Sequence, residues 1–382
     1  MKVKLSQAFD LQMGKTPSRN IAEYWDGNHK WVSIADIGNA GKYISATKEC
    51  ITDDGVSGSG IKIVPKGTVI MSFKLSIGKT TITSEDMYTN EAIMAFIDKG
   101  IYPVDPNYLY HLCCGTDWTA GTNKAVMGLT LNKATLSEKM INLPSVEEQK
   151  DIAEKLDEVD SLINIQQRQL AKLDELVKSR FIELFGDTIL NPFGWEKDLL
   201  GTVCDVRDGT HDSPQYYETG YPLVTSKNVT GGKIDMTDCS LICEADFKKI
   251  NERSKVDMGD IIMPMIGTVG KPVIVDIEPS FAIKNVSLIK FKADSRVLNI
   301  YIRALLQSDY FDDAVLSKVR GGTQKFISLG DIRKLEVLVP PMELQEQFAV
   351  FVEQTDKSKL AVQQSLEKLE ILKKSLMQEY FG

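Results

Sequence analysis

The hydrophobic positions of this chain form two long heptad stripes. Within residues 144–186, and again within 340–382, selected side chains recur at alternating spacings of three and four residues, as in helices that pair with other helices. Gln166 and Arg180 interrupt the first stripe, and the second stripe is more polar. The apolar positions predicted to pair the helices are Ile152, Leu156, Val159, Ile163, Leu170, Leu173, Val177, Phe348, Val352, Val362, Leu366, Leu369 and Leu376.

The two stripes belong to an internal repeat. Residues 143–186 align without a gap with residues 339–382 at a constant spacing of 196, so that Gln149 matches Gln345. Proline stands near the start of each segment and glycine at its end, as expected for helix termini. The repeat therefore predicts two equivalent helices over 144–186 and 340–382, each about 60 Å long.

The segments before these helices predict modules of mixed structure. Short β-branched or alternating runs bounded by glycine, proline or charge predict strands at 31–38, 67–73, 92–97, 259–267, 271–277 and 286–291. Residues 106–114 and 298–317 are predicted to be helical. The modules repeat only loosely: residues 64–83 resemble 256–275, 120–131 resemble 321–332, and 9–14 resemble 204–209.

The predicted fold class is therefore α+β, with two tandem α/β modules and a pseudo-twofold internal repeat. The modules are residues 1–143 and 187–339, and the helices are 144–186 and 340–382. Because a module lies between them, the two long helices are expected to pair antiparallel as a coiled-coil spacer. The alternative is that they are two unrelated surface helices.

Composition narrows the class of protein. An apolar fraction of 43% and a charged fraction of 26% are typical of globular proteins, and the chain has no apolar run of the length that crosses a membrane. The first ten residues do not resemble a signal peptide, so a cytoplasmic location is expected. Six cysteines and three histidines, without close ligand spacing, favour reduced thiols and no metal site.

The net charge of −8 argues against strong nonspecific binding to DNA by this chain alone, because phosphate attraction grows with the number of charges neutralised. If DNA is the ligand, a partner must supply basic surface.

Catalytic motifs are not evident. Residues 72–80 end in Gly-Lys-Thr, but Phe73 stands where a P-loop requires glycine. Residues 190–195 resemble an amino-methyltransferase loop only superficially, with no glycine-rich cofactor signature before them. His29, His111 and His211 have no sequence neighbour that suggests a triad. We expect a non-catalytic chain without a cofactor of its own.

Over nearly its whole length the chain resembles the specificity subunit of type I restriction–modification systems. The resemblance rests on the duplicated helix starts at 144–149 and 340–345, and on GTHDSP (209–214), YPLVTSKNVTGGKI (221–234) and RGGTQKFIS (320–328). It implies that residues 1–143 and 187–339 are target-recognition domains, each reading one half of a split, asymmetric site in double-stranded DNA. The first module departs from the pattern, with AGTNKAVMGL (120–129) in place of the usual Gly-Thr-Gln run.

The resemblance also implies partners. Two methyltransferase subunits would use S-adenosylmethionine to methylate adenine, and ATP-dependent restriction subunits would cleave unmodified DNA. The paired helices would set the gap between the half-sites and dock the methyltransferases.

Side chains in the repeated loops are the candidate DNA contacts. Arg and Lys read guanine, Asn and Gln read adenine, and phosphate contacts fix the register. The candidates are Lys74, Lys79, Thr122, Asn123, Lys124, Arg207, Thr210, His211, Ser226, Lys227, Lys271, Arg320, Thr323, Gln324 and Lys325.

Three hypotheses are compatible with these patterns. The first is the DNA-specificity subunit, in which some of the candidate residues contact DNA and the others are simply solvated. The second is a protein–protein scaffold with two divergent binding modules on a coiled-coil rod, which the net negative charge favours. The third is a DNA methyltransferase with an unrecognised active site, which tight binding of S-adenosylmethionine by the isolated chain would support.

Overall fold

The computed structural model describes residues 1–74, 76–119, 131–266, 270–314 and 326–382. The chain divides into two units, which are residues 1–167 with 364–382 and residues 168–363. We call them unit 1 and unit 2. Each contains one mixed module and part of each long helix.

Unit 1 contains a five-stranded sheet of order β2-β9-β6-β7-β4, a three-stranded sheet of order β5-β3-β8 and the pair β1-β10. A short 3-10 helix spans Ala22–Tyr24. The other elements are β1 Lys2–Lys4, α1 Leu5–Ala8, β2 Phe9–Met13, β3 Trp25–Val32, α2 Ile34–Asn39, β4 Tyr43–Ile44, β5 Glu49–Ile51, α3 Asp53–Ser59, β6 Val69–Ser72, β7 Thr80–Thr83, β8 Tyr88–Thr89, β9 Ile93–Asp98, α4 Pro106–Gly115, α5 Lys133–Ser137, β10 Met140–Asn142 and the first part of α6 Val146–Phe185.

Both faces of the large sheet in unit 1 are buried. Side chains alternate along a strand, so Val69 and Met71 of β6 pack with the α4 side chains, while Ile70 packs with Val32 and Ile37 on the other face. Burial on both faces explains why these strands are continuous apolar runs.

Unit 2 repeats this plan with a four-stranded sheet of order β12-β20-β17-β18, a three-stranded sheet of order β16-β13-β19 and the pairs β11-β21 and β14-β15. A 3-10 helix spans Ser226–Asn228. The other elements are β11 Glu196–Leu199, α7 Leu200–Val203, β12 Asp205–Asp208, β13 Tyr221–Val224, β14 Val229–Thr230, β15 Lys233–Ile234, β16 Ser240–Ile242, α8 Glu244–Ser254, β17 Ile261–Pro264, β18 Val273–Ile274, β19 Ala282–Ile283, β20 Val286–Lys290, α9 Asn299–Leu306, α10 Asp309–Ala314, α11 Leu329–Arg333, β21 Glu336–Val339 and α12 Met342–Phe381, whose last part belongs to unit 1.

The core of unit 2 is divided in the same way. Ile261 and Met263 of β17 pack with the α9 cluster around Tyr301, while Ile262 packs with Val224 on the opposite face. The mixed α+β architecture with two equivalent modules and two long helices confirms the predicted fold class.

The long helices keep the repeat in their termini, since α6 and α12 both begin and end 196 residues apart. Each begins two residues after the proline at which we predicted its start. At α6 the reason is Ser145, whose hydroxyl and main-chain amide bond the Glu148 carboxylate in a capping arrangement. Gly186 ends α6 with a φ of 78°, which glycine adopts without steric cost.

Within unit 1 the two helices run antiparallel. Asp160 of α6 pairs with Lys373 of α12 at 2.5 Å. Lys155, earlier in α6, interacts electrostatically with Glu379, later in α12.

Unit 2 shows the same antiparallel arrangement. Asp174 of α6 pairs with Lys359 of α12 at 2.6 Å, and Phe185, later in α6, lies 5.5 Å from Phe348, earlier in α12, between ring centroids.

Two local predictions are wrong. The run 31–38 is not one strand, because β3 ends at Val32 and Ser33 caps helix α2 together with Asp36. The run 298–317 is not one helix over its described part, since α9 ends at Leu306 and α10 begins at Asp309. In both cases a side-chain or main-chain cap interrupts an apolar pattern that by itself looks continuous.

Candidate nucleic-acid interface

In unit 2 three of the candidate DNA residues, Thr210, His211 and Ser226, converge at the loop that follows β12. The Gly209 amide donates to the Val286 carbonyl at 2.9 Å, and the Thr210 amide donates to the Ile283 carbonyl at 3.0 Å. The loop therefore crosses over the connection between β19 and β20, which is residues 284–285. A Cβ at position 209 would lie 2.4 Å from the Ile283 oxygen, so the crossing requires glycine.

Asn285 is the centre of this crossing. Its amide donates to the Thr210 carbonyl at 3.2 Å, and its carbonyl accepts from the Ser226 hydroxyl at 3.3 Å. Its side-chain oxygen lies 2.9 Å from Nδ1 of His211. Its φ of 57° is unusual for a residue other than glycine, although asparagine tolerates it. Three predicted DNA residues are thus held around a fourth residue that the sequence analysis did not select.

The ring of His211 is held on both sides. Nε2 lies 2.8 Å from the Asp208 carboxylate, and Nδ1 faces Asn285. These two hydrogen bonds, with that to Asn285 the larger, raise the pKa of His211 above its ordinary value. The imidazole is mostly exposed to solvent.

Two basic side chains, Arg253 and Lys284, lie beside the crossing. Arg253 pairs with the other oxygen of the buried Asp208 carboxylate. Lys284 is 8% exposed, and its ammonium lies 2.7 Å from the Ser213 hydroxyl.

The remaining described candidates of unit 2 lie elsewhere on its surface. Arg207 is bound to Asp205 at 2.6 Å and to the Arg253 carbonyl, so its charge is already partly neutralised. Lys227 is exposed, 3.9 Å from Asp238. Lys271 lines a groove of about 500 Å³ beside α6, α9 and α12 and is not part of the crossing.

In unit 1 two described candidates lie on the hairpin between β6 and β7. The Lys74 ammonium is 5.3 Å from the Phe73 ring centroid, and Lys79 is exposed with its amide bonded to Ser72. Seven candidates lie outside the described residues: Thr122, Asn123, Lys124, Arg320, Thr323, Gln324 and Lys325.

The positions predicted to pair the helices all lie on the less exposed face of their helix. Leu156, Val159, Phe348 and Val352 are buried, and the other nine are half-buried. Polar stripe positions are used for ion pairs, since Lys359 and Lys373 occupy stripe positions and reach Asp174 and Asp160.

Each histidine has an aspartate partner that the sequence did not indicate. Besides the pair at His211, His29 lies 2.7 Å from Asp53, and the buried His111 lies 2.8 Å from Asp157 of α6. Burial lowers the pKa of His111, and it outweighs the opposing effect of the hydrogen bond to Asp157.

No group of three or more metal-binding side chains occurs among the residues that the structure describes. In the same part of the chain, no helix has both the length and the apolar character needed to span a bilayer. All six cysteines are described as free thiols.

Comparison with known proteins assigns the family. A family model for the type I restriction modification DNA specificity domain matches residues 1–175 and 192–371. The chain belongs to this family. The two matches cover both modules, in agreement with the internal repeat, and the family's role is recognition of a DNA sequence.

Curated relatives carry the same assignment. The MjaIX specificity subunit of a type I restriction enzyme from Methanocaldococcus jannaschii is 28% identical over 92% of this chain and 85% of its own length. The MjaVIII specificity subunit from the same organism is 24% identical over 98% of this chain and 90% of its own length.

Solved structures share the fold. A type I restriction–modification S subunit from M. genitalium has a TM-score of 0.56 at 14% identity, covering 100% of this chain and 96% of that one. A structure described for complex assembly and conformational transition of the type I R-M system has a TM-score of 0.62 at 19% identity, covering 100% of this chain and 97% of that one.

Asn285, Asp208, Arg253 and Lys284 are the residues of this site that sequence reasoning missed. Asn285 lies 74 positions from His211, and no local motif marks it. The sequence marked this site only through the GTHDSP run (209–214), whose Thr210 and His211 contact Asn285 in the folded chain.

Proposed function

We propose that this chain reads a bipartite, asymmetric site in double-stranded DNA, with one half-site bound by each module. The observation that carries the proposal is the repeated frame with divergent side chains. The four strands β12-β20-β17-β18 of unit 2 correspond in order to β2-β9-β6-β7 of unit 1, while the loops that leave the two sheets carry different polar residues. A common frame with different exposed side chains is suited to reading two unlike half-sites.

We further propose that the chain is non-catalytic and directs partner subunits. Two methyltransferase subunits using S-adenosylmethionine would dock on the paired helices, and restriction subunits using ATP would complete the complex. The net charge of −8 supports this division, because a chain with this charge needs basic partner surface to hold DNA firmly. With genomic DNA as its target, the complex would act in the cytoplasm. Family membership favours this function over a protein–protein scaffold.

The test is to co-express the chain with its methyltransferase and to map methylated adenines across the host genome by single-molecule sequencing. The expected result is a split motif of two short, unlike halves with a fixed gap. Exchange of one module for that of a relative should alter one half only. An absence of methylation, together with no DNA retained by the assembled complex, would contradict the proposal.

A further inference from the structure

The loop crossing at the candidate site is present in both units. After β2, the Gly14 amide donates to the Ile93 carbonyl at 3.2 Å and the Lys15 amide donates to the Thr89 carbonyl at 2.9 Å. This is the arrangement already described for Gly209 in unit 2. The loop after β2 thus crosses the connection between β8 and β9, just as the loop after β12 crosses the connection between β19 and β20.

Glycine makes the crossing possible in unit 1 as well. A Cβ at Gly14 would lie 2.1 Å from the Thr89 carbonyl oxygen. Because the two main chains are this close, the side chains of the loop residues that follow the glycine lie at the surface of the crossing.

The side chains at the surface of the crossing differ between the units. In unit 1 the Thr16 hydroxyl donates to Oε2 of Glu91, and both residues are exposed. In unit 2 the corresponding pair is His211 and Asn285. In each pair, one residue comes from the loop and the other from the connection.

Both connection residues keep hydrogen-bonding capacity. Within the described part of the chain, Oε1 of Glu91 and Nδ2 of Asn285 have no hydrogen-bond partner, whereas the other polar atom of each side chain is held by Thr16 or His211. Both ring nitrogens of His211 are already occupied, so Asn285 has the free amide donors of this pair. Each side chain is therefore oriented by one bond and open at the other.

The open atoms match different base edges. A carboxylate only accepts, and its natural partner in the major groove is the N4 amino group of cytosine. The open Nδ2 of Asn285 can donate to N7 of adenine, and Oδ1 has a second lone pair, besides the one that faces His211, to accept from N6.

We propose that Glu91 and Asn285 are base-reading residues, with Glu91 selecting a cytosine in one half-site and Asn285 an adenine in the other. Each lies two residues after the carbonyl that accepts from the loop, which belongs to Thr89 in unit 1 and to Ile283 in unit 2. The inference rests on the proposed function, since it names the residues through which each module would read its half-site. In this proposal both modules share the crossing of two main chains, and the one base-reading side chain on the crossing differs between them.

The experiment uses the complex of this chain with its methyltransferase subunits and a double-stranded DNA library of randomised sequence, with sequencing of the bound fraction. The variants are Glu91→Gln and Asn285→Asp. Gln keeps the size of Glu and can still accept from Thr16, while Asp tolerates the positive φ at position 285. Glu91→Gln replaces an acceptor-only carboxylate by an amide, Asn285→Asp makes the reverse exchange, and each variant serves as the control for the other.

We expect Glu91→Gln to change one cytosine to adenine in one half-site, and Asn285→Asp to change one adenine to cytosine in the other half-site. The preference at that single base pair should shift by about 5- to 100-fold. Glu91→Ala and Asn285→Ala are second variants, each of which should lose the preference at that position and keep the rest of the motif.

The outcomes separate the two levels of inference. A wild-type complex that enriches no bipartite motif overturns the proposed function itself. A wild-type motif that both substitution pairs leave unchanged, or that changes in both halves together, overturns only the assignment of Glu91 and Asn285.

Discussion

Gln149 and Gln345 occupy equivalent positions in the two long helices and make the same set of hydrogen bonds. Both are fully buried. Oε1 of Gln149 accepts from the Asp105 amide at 2.9 Å, and Oε1 of Gln345 accepts from the Leu298 amide at 2.8 Å. These amides lie at the first position before α4 and α9, so each glutamine joins the start of a long helix to the start of a module helix.

The amide nitrogens complete the correspondence. Nε2 of Gln149 donates to the carbonyls of Pro103 and Pro144 at 3.1 and 3.0 Å. Nε2 of Gln345 makes the corresponding two contacts in unit 2, donating to the carbonyls of Arg296 and Pro340 at 3.0 and 2.9 Å. A buried side chain with three such bonds sets the junction between module and spacer in each unit.

Replacement of Gln149 by Glu should destabilise the chain. Glu keeps the acceptor toward Asp105 but puts a carboxylate oxygen against two carbonyl oxygens, with a predicted loss of about 2–3 kcal/mol in the free energy of unfolding. Urea unfolding of the full chain measures it. Gln363→Glu, at an exposed position of α12, is the matched control and should have little effect. Equal stability of the two variants would refute the role of this junction.

Gly14→Ala should disturb the loop crossing in unit 1. The added Cβ would meet a main-chain oxygen at 2.1 Å, which forces the backbone apart and costs about 1–3 kcal/mol. Gly41→Ala is the control, because no atom lies within 4 Å of a Cβ there. Thermal unfolding should separate the two variants, and affinity for DNA in the assembled complex should fall for Gly14→Ala alone. If the two variants have the same thermal stability and the same affinity for DNA, the close approach of the main chains at Gly14 contributes to neither.

The imidazole of His211 should remain protonated to a higher pH than a free histidine. The folded-state pKa is raised, so the stabilisation from its bonds to Asn285 and Asp208 is fully present below the ordinary value of about 6.5 and is lost as the pH rises through the folded value. An NMR titration of the three histidines measures this. Asp208→Asn should lower the His211 pKa, and a wild-type His211 that titrates at or below the ordinary value would contradict the arrangement.

The ion pair between Asp160 and Lys373 should contribute modestly to helix pairing. Both side chains are about one third exposed, so solvent screening limits the coupling to about 0.5–1 kcal/mol. A double-mutant cycle with Asp160→Asn and Lys373→Gln measures it, and the value should fall as salt is added. The exposed pair Glu353 and Lys357 within α12 is the reference and should give a smaller coupling. A coupling energy between Asp160 and Lys373 that is zero, or that does not depend on salt, would show that this ion pair does not contribute to helix pairing.

Shortening the spacer should change the gap between half-sites. Deletion of residues 161–167 together with 366–372 removes one heptad from each helix and keeps the heptad register. Seven residues at 1.5 Å each shorten a helix by about 10 Å, which corresponds to roughly three base pairs of DNA. Methylation mapping should then give the same half-sites with a shorter gap. Retention of the original gap would show that the helices do not set it.

The sequence by itself determined the repeat, the extent of the long helices and the positions on their buried face. These features are local, because heptad spacing and terminal proline or glycine act through the geometry of one helix, and a gap-free repeat carries that geometry from α6 to α12. The large-sheet strands could also be predicted, since residues such as Ile261 and Met263 are buried on both faces and need continuous apolar runs. Prediction was wrong at residues 33–36, where a side-chain cap outweighed the apolar pattern.

Only the tertiary structure decided which polar residues share a site. Asn285 meets His211 across 74 positions, and Gln149 meets Asp105 across 44, because strand order and helix packing bring together loops that have no common period along the chain. The sequence could select Thr210, His211 and Ser226 by chemical type. It could not separate them from Lys271, which lines a different groove, because residue type alone does not specify which loops the packed sheets place side by side.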